Sequence, residues 1–186
     1  MSGPILLTGG AGSVGRRLVA RCRADGHVAR VFDLPLCDFT GLEGEVGIEV
    51  VKGDITDPAT IQQAVKGVSA VLHLAALLPP ASEASRERTF AINVQGTVNI
   101  MQAMESEAQD AVLVFSSSVS TYGDTTAEAP PIRPDHPQTA LDLYAESKIA
   151  GEQRIRDASV DAVILRIAGI TVPELREPPE VWPFTA

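Results

Sequence analysis

The sequence predicts an α/β fold built on a doubly wound parallel sheet. Three observations carry this. Short apolar runs alternate with longer segments of helical periodicity along nearly the whole chain, the runs are continuously apolar like strands covered on both faces, and polar residues gather where those runs end. The runs are "PILLT" (4–8), "VARVFD" (28–33), "IEVVKGD" (48–54), "AVLHLA" (70–75), "AVLVFSS" (111–117) and "DAVILRI" (161–167). Helices are expected from Val14 to Asp25, Pro58 to about Lys66, Ser85 to Glu107 and Leu141 to Ala158. Six strands with helical crossovers imply the order 3-2-1-4-5-6, with ligands at the carboxyl edge where strands one and four diverge. Prolines 130, 131, 134 and 137 make 125–137 a loop, and the chain beyond Pro173 reads as an irregular tail. One domain is therefore expected over 1–172, followed by a tail or the start of a further region at 173–186.

Composition narrows the function classes. The 186 residues are 45% apolar, enough for one buried core, and carry 15 Lys plus Arg against 24 Asp plus Glu, a net charge of −9. That balance argues against a nucleic-acid or anionic-membrane surface. Cys22 and Cys37 form no CxxC pair, which fits a reducing compartment and neither a disulfide scaffold nor a zinc site. The opening "MSGPILLTGG" has no basic leader pattern, and no apolar run reaches membrane-span length, so a soluble cytoplasmic protein is expected.

"TGGAGSVG" places Gly9, Gly12 and Gly15 three apart between a strand and a helix. Such a loop turns tightly, lets backbone approach a pyrophosphate, and leaves the N–H groups of Ser13 and Val14 at a helix start; it is also a common plain connection. Asp33 ends the second strand about 20 residues on, where a carboxylate accepts from a ribose 2′-OH and repels a 2′-phosphate. It reads equally as a turn aspartate, and Arg16, Arg17 and Arg30 are counter-indications because an arginine there welcomes a phosphate. The position of the acid favours NAD over NADP. At later strand ends stand Asp54 with Ile55, and Leu74, Ala75 and Ala76, the small residues allowing a flat cofactor close to backbone. His73 reads as a packed or backbone-bonded histidine, since no second His or carboxylate is spaced with it. Asn93 is expected inside a helix, where asparagine usually points out or bonds locally.

"YAESK" sets Tyr144 and Lys148 one helical turn apart on one face. A nearby cation favours the phenolate of a tyrosine whose ordinary pKa is near 10, so the pair suits proton transfer at a carbonyl or alcohol. A serine of "FSSSVSTYG" can present a hydroxyl to the same oxygen. A routine surface Tyr–Lys pair is the competing reading, weakened by the glycines, Asp33 and the serines in this order.

Together these motifs resemble the extended short-chain dehydrogenase/reductase superfamily, in particular its NAD-dependent epimerase/dehydratase family, over residues 4 to 172. "TGGAGSVG" resembles the TGxxGxxG cofactor loop, "HLAA" the fourth-strand motif, "NVQGT" the helix motif that places Asn93 near the cofactor, and "LRIAGI" the segment framing the nicotinamide. "FSSSVSTYG" is similar to SSSxxVYG, which implies a catalytic role for Ser118, and YxxxK implies the same for Tyr144 and Lys148. The resemblance implies a Rossmann-type sheet, NAD as cofactor, a carbohydrate-like hydroxy or keto substrate, and a homodimer as a candidate assembly. Two departures stand out. Val119, Ser120 and Thr121 follow Ser118 where dehydratases of the group carry an acidic pair, which argues against elimination. The resemblance also implies a carboxyl-terminal substrate lobe, which is expected to be truncated or absent over these 186 residues. The expected function is an NAD-dependent oxidoreductase or epimerase of a secondary alcohol or ketone in a sugar, sugar acid or nucleotide sugar; the alternative is a non-catalytic NAD-binding module.

Overall fold

The computed structural model describes residues 3–170. Six parallel strands, β1 (Ile5–Thr8), β2 (Ala29–Asp33), β3 (Ile48–Lys52), β4 (Ala70–His73), β5 (Val112–Ser118) and β6 (Ala162–Ile167), form one sheet in the order β3-β2-β1-β4-β5-β6. This is the expected order. Helices α1 (Ser13–Ala24), α2 (Pro58–Val65), α3 (Arg86–Phe90), α4 (Gly96–Glu107) and α5 (Leu143–Arg156) supply the crossovers. The expected tail at 173–186 lies outside the described residues.

Side chains alternate across each strand, so neighbours on β1 serve opposite faces. Leu6 joins Phe32, Val71, Leu113 and Phe115 in a cluster covered by Ile61 and Val65 of α2, Ile100 and Met104 of α4, and Ile155 of α5. Leu7 joins Val31, Val19 and Cys22 of α1, Phe39 and Leu42 on the other face. Burying a leucine or phenylalanine in this way contributes roughly 1.5–3 kcal/mol each. Both core faces thus fix the strands whose carboxyl ends carry the polar motifs.

The expected single helix over 85–107 differs in the structure. It is α3, then a π-helical turn over Ala91–Gln95, then α4. The extra residue in that turn rotates the helix at Asn93, which is 2% exposed instead of facing out. Helix α5 starts at Leu143, two residues later than expected, because the Asp142 side chain accepts the N–H of Ala145 at 2.6 Å and caps it. Strands β3 and β4 end two residues early, leaving 53–54 and 74–75 in the loops over the sheet edge. Residues 125–137 contain neither helix nor strand, as the prolines require.

Candidate active site

The glycine loop leaves β1 and enters α1. Gly9 has φ +71°, and a Cβ there would lie 2.9 Å from the Ala75 nitrogen; a Cβ on Gly15 would lie 2.4 Å from the Gly9 carbonyl oxygen. Both glycines are steric necessities of strand and helix approach. Gly12 caps α1 without a side-chain hydrogen bond, the first turn has no acidic residue, and a Cβ on Gly12 would approach only the Gly9 oxygen, at 3.3 Å. The N–H groups of Ser13 and Val14 in that turn lack intrahelical acceptors, which suits an anionic pyrophosphate.

Asp33 stands at the end of β2 with one carboxylate oxygen accepting the Ala11 N–H at 3.0 Å and the other accepting from Leu34 N–H at 2.9 Å and Cys37 Sγ at 3.3 Å. The acid is thereby fixed against the glycine loop. Two of the counter-indicating arginines have partners within the chain: Arg16 donates to the carbonyls of Ala11, Thr40 and Asp38, and Arg30 to Glu49 and the carbonyls of Ala64 and Lys66. Asp54 accepts from the N–H and hydroxyl of Thr56, while Ile55 is buried and its carbonyl accepts from Asn99. Leu74 and Ala75 donate their N–H groups to the carbonyl and hydroxyl of Thr8, and Ala76 beyond them is half-buried.

His73 is packed, as expected, but between two hydroxyls instead of against backbone. Thr97 spends its proton on the Asn93 carbonyl at 2.8 Å, so His73 Nε2 donates to Thr97 at 3.0 Å and Nδ1 accepts from Thr8 at 2.7 Å. Burial, and secondarily the Lys148 charge, push the imidazole down to about 3, so it stays neutral. Asn93 accepts the Leu77 N–H at 2.7 Å and donates to the Leu77 carbonyl at 3.0 Å and the Ser147 hydroxyl at 2.9 Å. Ser147 donates to the Tyr144 carbonyl at 2.7 Å. A hydrogen-bonded line therefore runs from β1 through β4 and Asn93 to the helix bearing Tyr144.

Lys148 is 2% exposed, and its ammonium donates to the Ser116 carbonyl at 2.8 Å, 4.8 Å from the Phe115 ring centroid and 5.6 Å from that of Tyr144. Gly151 makes this possible: its Cβ would stand 3.1 Å from Phe115 Cζ, so α5 seats closely on β5. Burial pushes the ammonium down to about 8, with Glu152 opposing. The phenol of Tyr144 moves the other way from expectation. Burial and then the Asp142 charge hold it above its ordinary value.

Ser118 lines a cavity of about 690 Å³ with Val119, Ser120, Tyr122, Ile132 and Arg166. Its Oγ accepts from the Ser120 N–H at 3.1 Å and the Ser120 hydroxyl at 2.8 Å, which leaves the Ser118 proton free to be donated. Ser120 was read from the sequence only as the absence of an acid, and Thr8, Thr97, Glu83 and Glu152 were not singled out. Glu83 accepts the N–H groups of Leu143 at 2.9 Å and Tyr144 at 3.2 Å. The signal for Glu152 was present, four residues beyond Lys148 and eight beyond Tyr144 on one helical face.

The sequence profile of the NAD dependent epimerase/dehydratase family matches residues 5–181. The chain belongs to this family. It is 36% identical over 157 residues to a 3 beta-hydroxysteroid dehydrogenase/Delta 5-->4-isomerase of Mycobacterium tuberculosis, covering 81% of this chain and 41% of that protein. It is 30% identical over 184 residues to a D-erythronate dehydrogenase of Cupriavidus necator, covering 90% and 55%. Among solved structures, the Bordetella bronchiseptica enzyme WbmG in complex with NAD and UDP superposes with TM-score 0.79 at 29% identity, over 94% of this chain and 56% of that one. A short-chain dehydrogenase/reductase superfamily protein of Agrobacterium tumefaciens with bound NAD gives TM-score 0.73 at 38% identity, over 87% and 48%. The chain spans about half the length of these relatives. No helix among the described residues is long and apolar enough to cross a membrane.

Proposed function

We propose that this chain is the nucleotide-binding domain of an NAD-dependent oxidoreductase or epimerase acting on a secondary alcohol or ketone through Ser118, Tyr144 and Lys148. The observation that carries the proposal is the buried Lys148 ammonium, packed beside the Tyr144 ring and hydrogen-bonded to the strand end that presents Ser118. Keeping an ammonium out of water is costly, and a binding module has no use for it. NAD supplies the two-electron acceptor for the carbinol hydride. In that reading the phenolate of Tyr144, which the Lys148 ammonium favours against burial, takes the hydroxyl proton, and Ser118 donates a hydrogen bond to the same oxygen.

Asp33 supports NAD over NADP, since a second anion beside its carboxylate is repelled. The substrate is a sugar, sugar acid or nucleotide sugar, as the erythronate dehydrogenase and the UDP-bound structure suggest by likeness. The hydroxysteroid dehydrogenase similarity favours a second reading, a sterol alcohol. Both present a secondary alcohol to the same three side chains. Turnover of a panel of such alcohols with NAD, in wild-type and Tyr144→Phe protein that includes the substrate-holding region, tests the proposal; NAD binding without turnover of any class would leave a non-catalytic module instead.

A further inference from the structure

Glu152 lies one helical turn beyond Lys148, and its side chain is fully buried. Its Oε1 accepts from the Ser117 hydroxyl at 2.5 Å and Arg166 Nε at 3.0 Å; its Oε2 accepts from Arg166 at 2.7 Å, Arg156 at 2.5 Å and Gln138 Nε2 at 3.0 Å. These donors come from β5, β6, α5 itself and the loop before it. Arg166 reaches onward to the Tyr122 hydroxyl at 2.9 Å and the Pro134 carbonyl at 2.7 Å. Arg166 and Tyr122 share the cavity wall with Ser118. One carboxylate thus joins the catalytic helix, the strand end bearing Ser118 and the proline-rich loop over the cavity.

We propose that Glu152 is a positioning residue for the Ser118–Tyr144–Lys148 site, holding the Ser118 strand end through Ser117 and the cavity wall through Arg166 against the helix turn beneath Lys148. The inference rests on the role proposed above for those three residues. A buried carboxylate could be satisfied by one arginine, and replacing such a pair by apolar residues is often neutral for stability, so its arrangement around a functional strand end points beyond the core. The charge matters as well. Lys148 faces Tyr144 and Glu152 from its own helix, neutral His73 from β4, and the Ser116 carbonyl and Phe115 ring from β5. Glu152 is held as the anion: burial opposes this, but the hydrogen bonds of Arg166 and Ser117 and the charge of Arg166 prevail. Its negative charge favours the Lys148 ammonium, so removing that charge moves Lys148 further below about 8.

Lysine occurs in this chain only at 52, 66 and 148, which makes the titration readable by NMR of ¹³Cε-labelled lysine, with Lys148→Met assigning the buried signal. In Glu152→Gln, the Lys148 midpoint is expected to fall by about half a pH unit or more in the absence of substrate. The kcat in the full protein is expected to fall about tenfold while NAD affinity stays within about twofold, with Glu152→Asp recovering part of the rate. Wild-type kcat in folded Glu152→Gln overturns the inference, whatever the lysine signal does. If that variant does not fold, Ser117→Ala decides, since it removes one neutral hydrogen bond: a several-fold loss of kcat at unchanged NAD affinity supports the positioning role, and an unchanged kcat overturns it. Tyr144→Phe kinetics keep the two failures apart: turnover lost there but wild-type in Glu152→Gln overturns the positioning role alone, whereas turnover retained in Tyr144→Phe overturns the proposed chemistry.

Discussion

Asp33 accepts the Ala11 N–H at 3.0 Å, so the acid that ends β2 is tied to the loop that begins α1. This contact orients the carboxylate without neutralising it. Calorimetric titration is expected to show NAD(H) binding more tightly than NADP(H), and Asp33→Ala to narrow that preference by about 1–3 kcal/mol. Equal affinities in the wild type would remove the assignment.

Tyr144→Phe is expected to abolish turnover almost entirely with NAD affinity nearly unchanged, because in the proposed mechanism the phenol exchanges the proton of the reacting oxygen and contributes little to nucleotide binding. Ser118→Ala is expected to cost roughly 10²–10³ in rate, the usual effect of losing one donor to a reacting oxygen. Steady-state kinetics paired with NAD titration separates the two, and wild-type turnover in Tyr144→Phe would end the mechanism.

The pH dependence follows from burial. Lys148 loses its proton above about 8, so kcat/KM that depends on the ammonium is expected to decline on the alkaline side of that value. The Tyr144 phenol, held up by burial and then Asp142, is expected to ionise at lower pH in Asp142→Asn, which keeps a capping side chain for α5 while removing the charge. Tyrosine difference absorbance against Tyr144→Phe measures this. An unmoved phenol would show that Asp142 has no part in its titration.

The strands and helices, the glycine loop and the YxxxK face were legible because each rests on local sequence: continuous apolar runs, period-3.6 patterns, glycine positions and an i, i+4 pair, from which the strand order follows by the rule for doubly wound sheets. What the sequence hid depends on residues far apart. Thr8 and Thr97 bracket His73 from 65 and 24 residues away, and nothing in either neighbourhood signals the contact. The sequence left Asn93 between pointing out and bonding locally because a regular helix was assumed, whereas the π turn over Ala91–Gln95 turns it inward. The Tyr144 shift was misjudged because spacing reveals the cation but not the burial that opposes it.

His73 makes acid stability a test of the same network. Its folded pKa of about 3 lies below the ordinary 6.5, so its contribution is complete above 6.5 and is lost as pH falls towards 3, at up to about 1.4 kcal/mol per pH unit. Urea unfolding across that window is expected to show a shallower pH slope in His73→Asn than in the wild type. Equal slopes would mean that the imidazole is protonated in the folded protein.

Asn93 carries the last prediction. It satisfies both backbone groups of Leu77 and the Ser147 hydroxyl, and Ser147 in turn bonds the Tyr144 carbonyl. Asn93→Leu keeps the branching and the number of side-chain heavy atoms but leaves the Leu77 N–H and carbonyl without these partners, a cost of about 1–3 kcal/mol for each group that stays dry. Urea unfolding is expected to show a loss in that range or above, and amide exchange at Leu77 to accelerate. Because the same side chain tethers the helix turn of Tyr144, kcat is expected to fall by about tenfold or more even under conditions where the variant is fully folded. A variant with native stability and fast turnover would show that the line from β1 to α5 is dispensable for holding Tyr144.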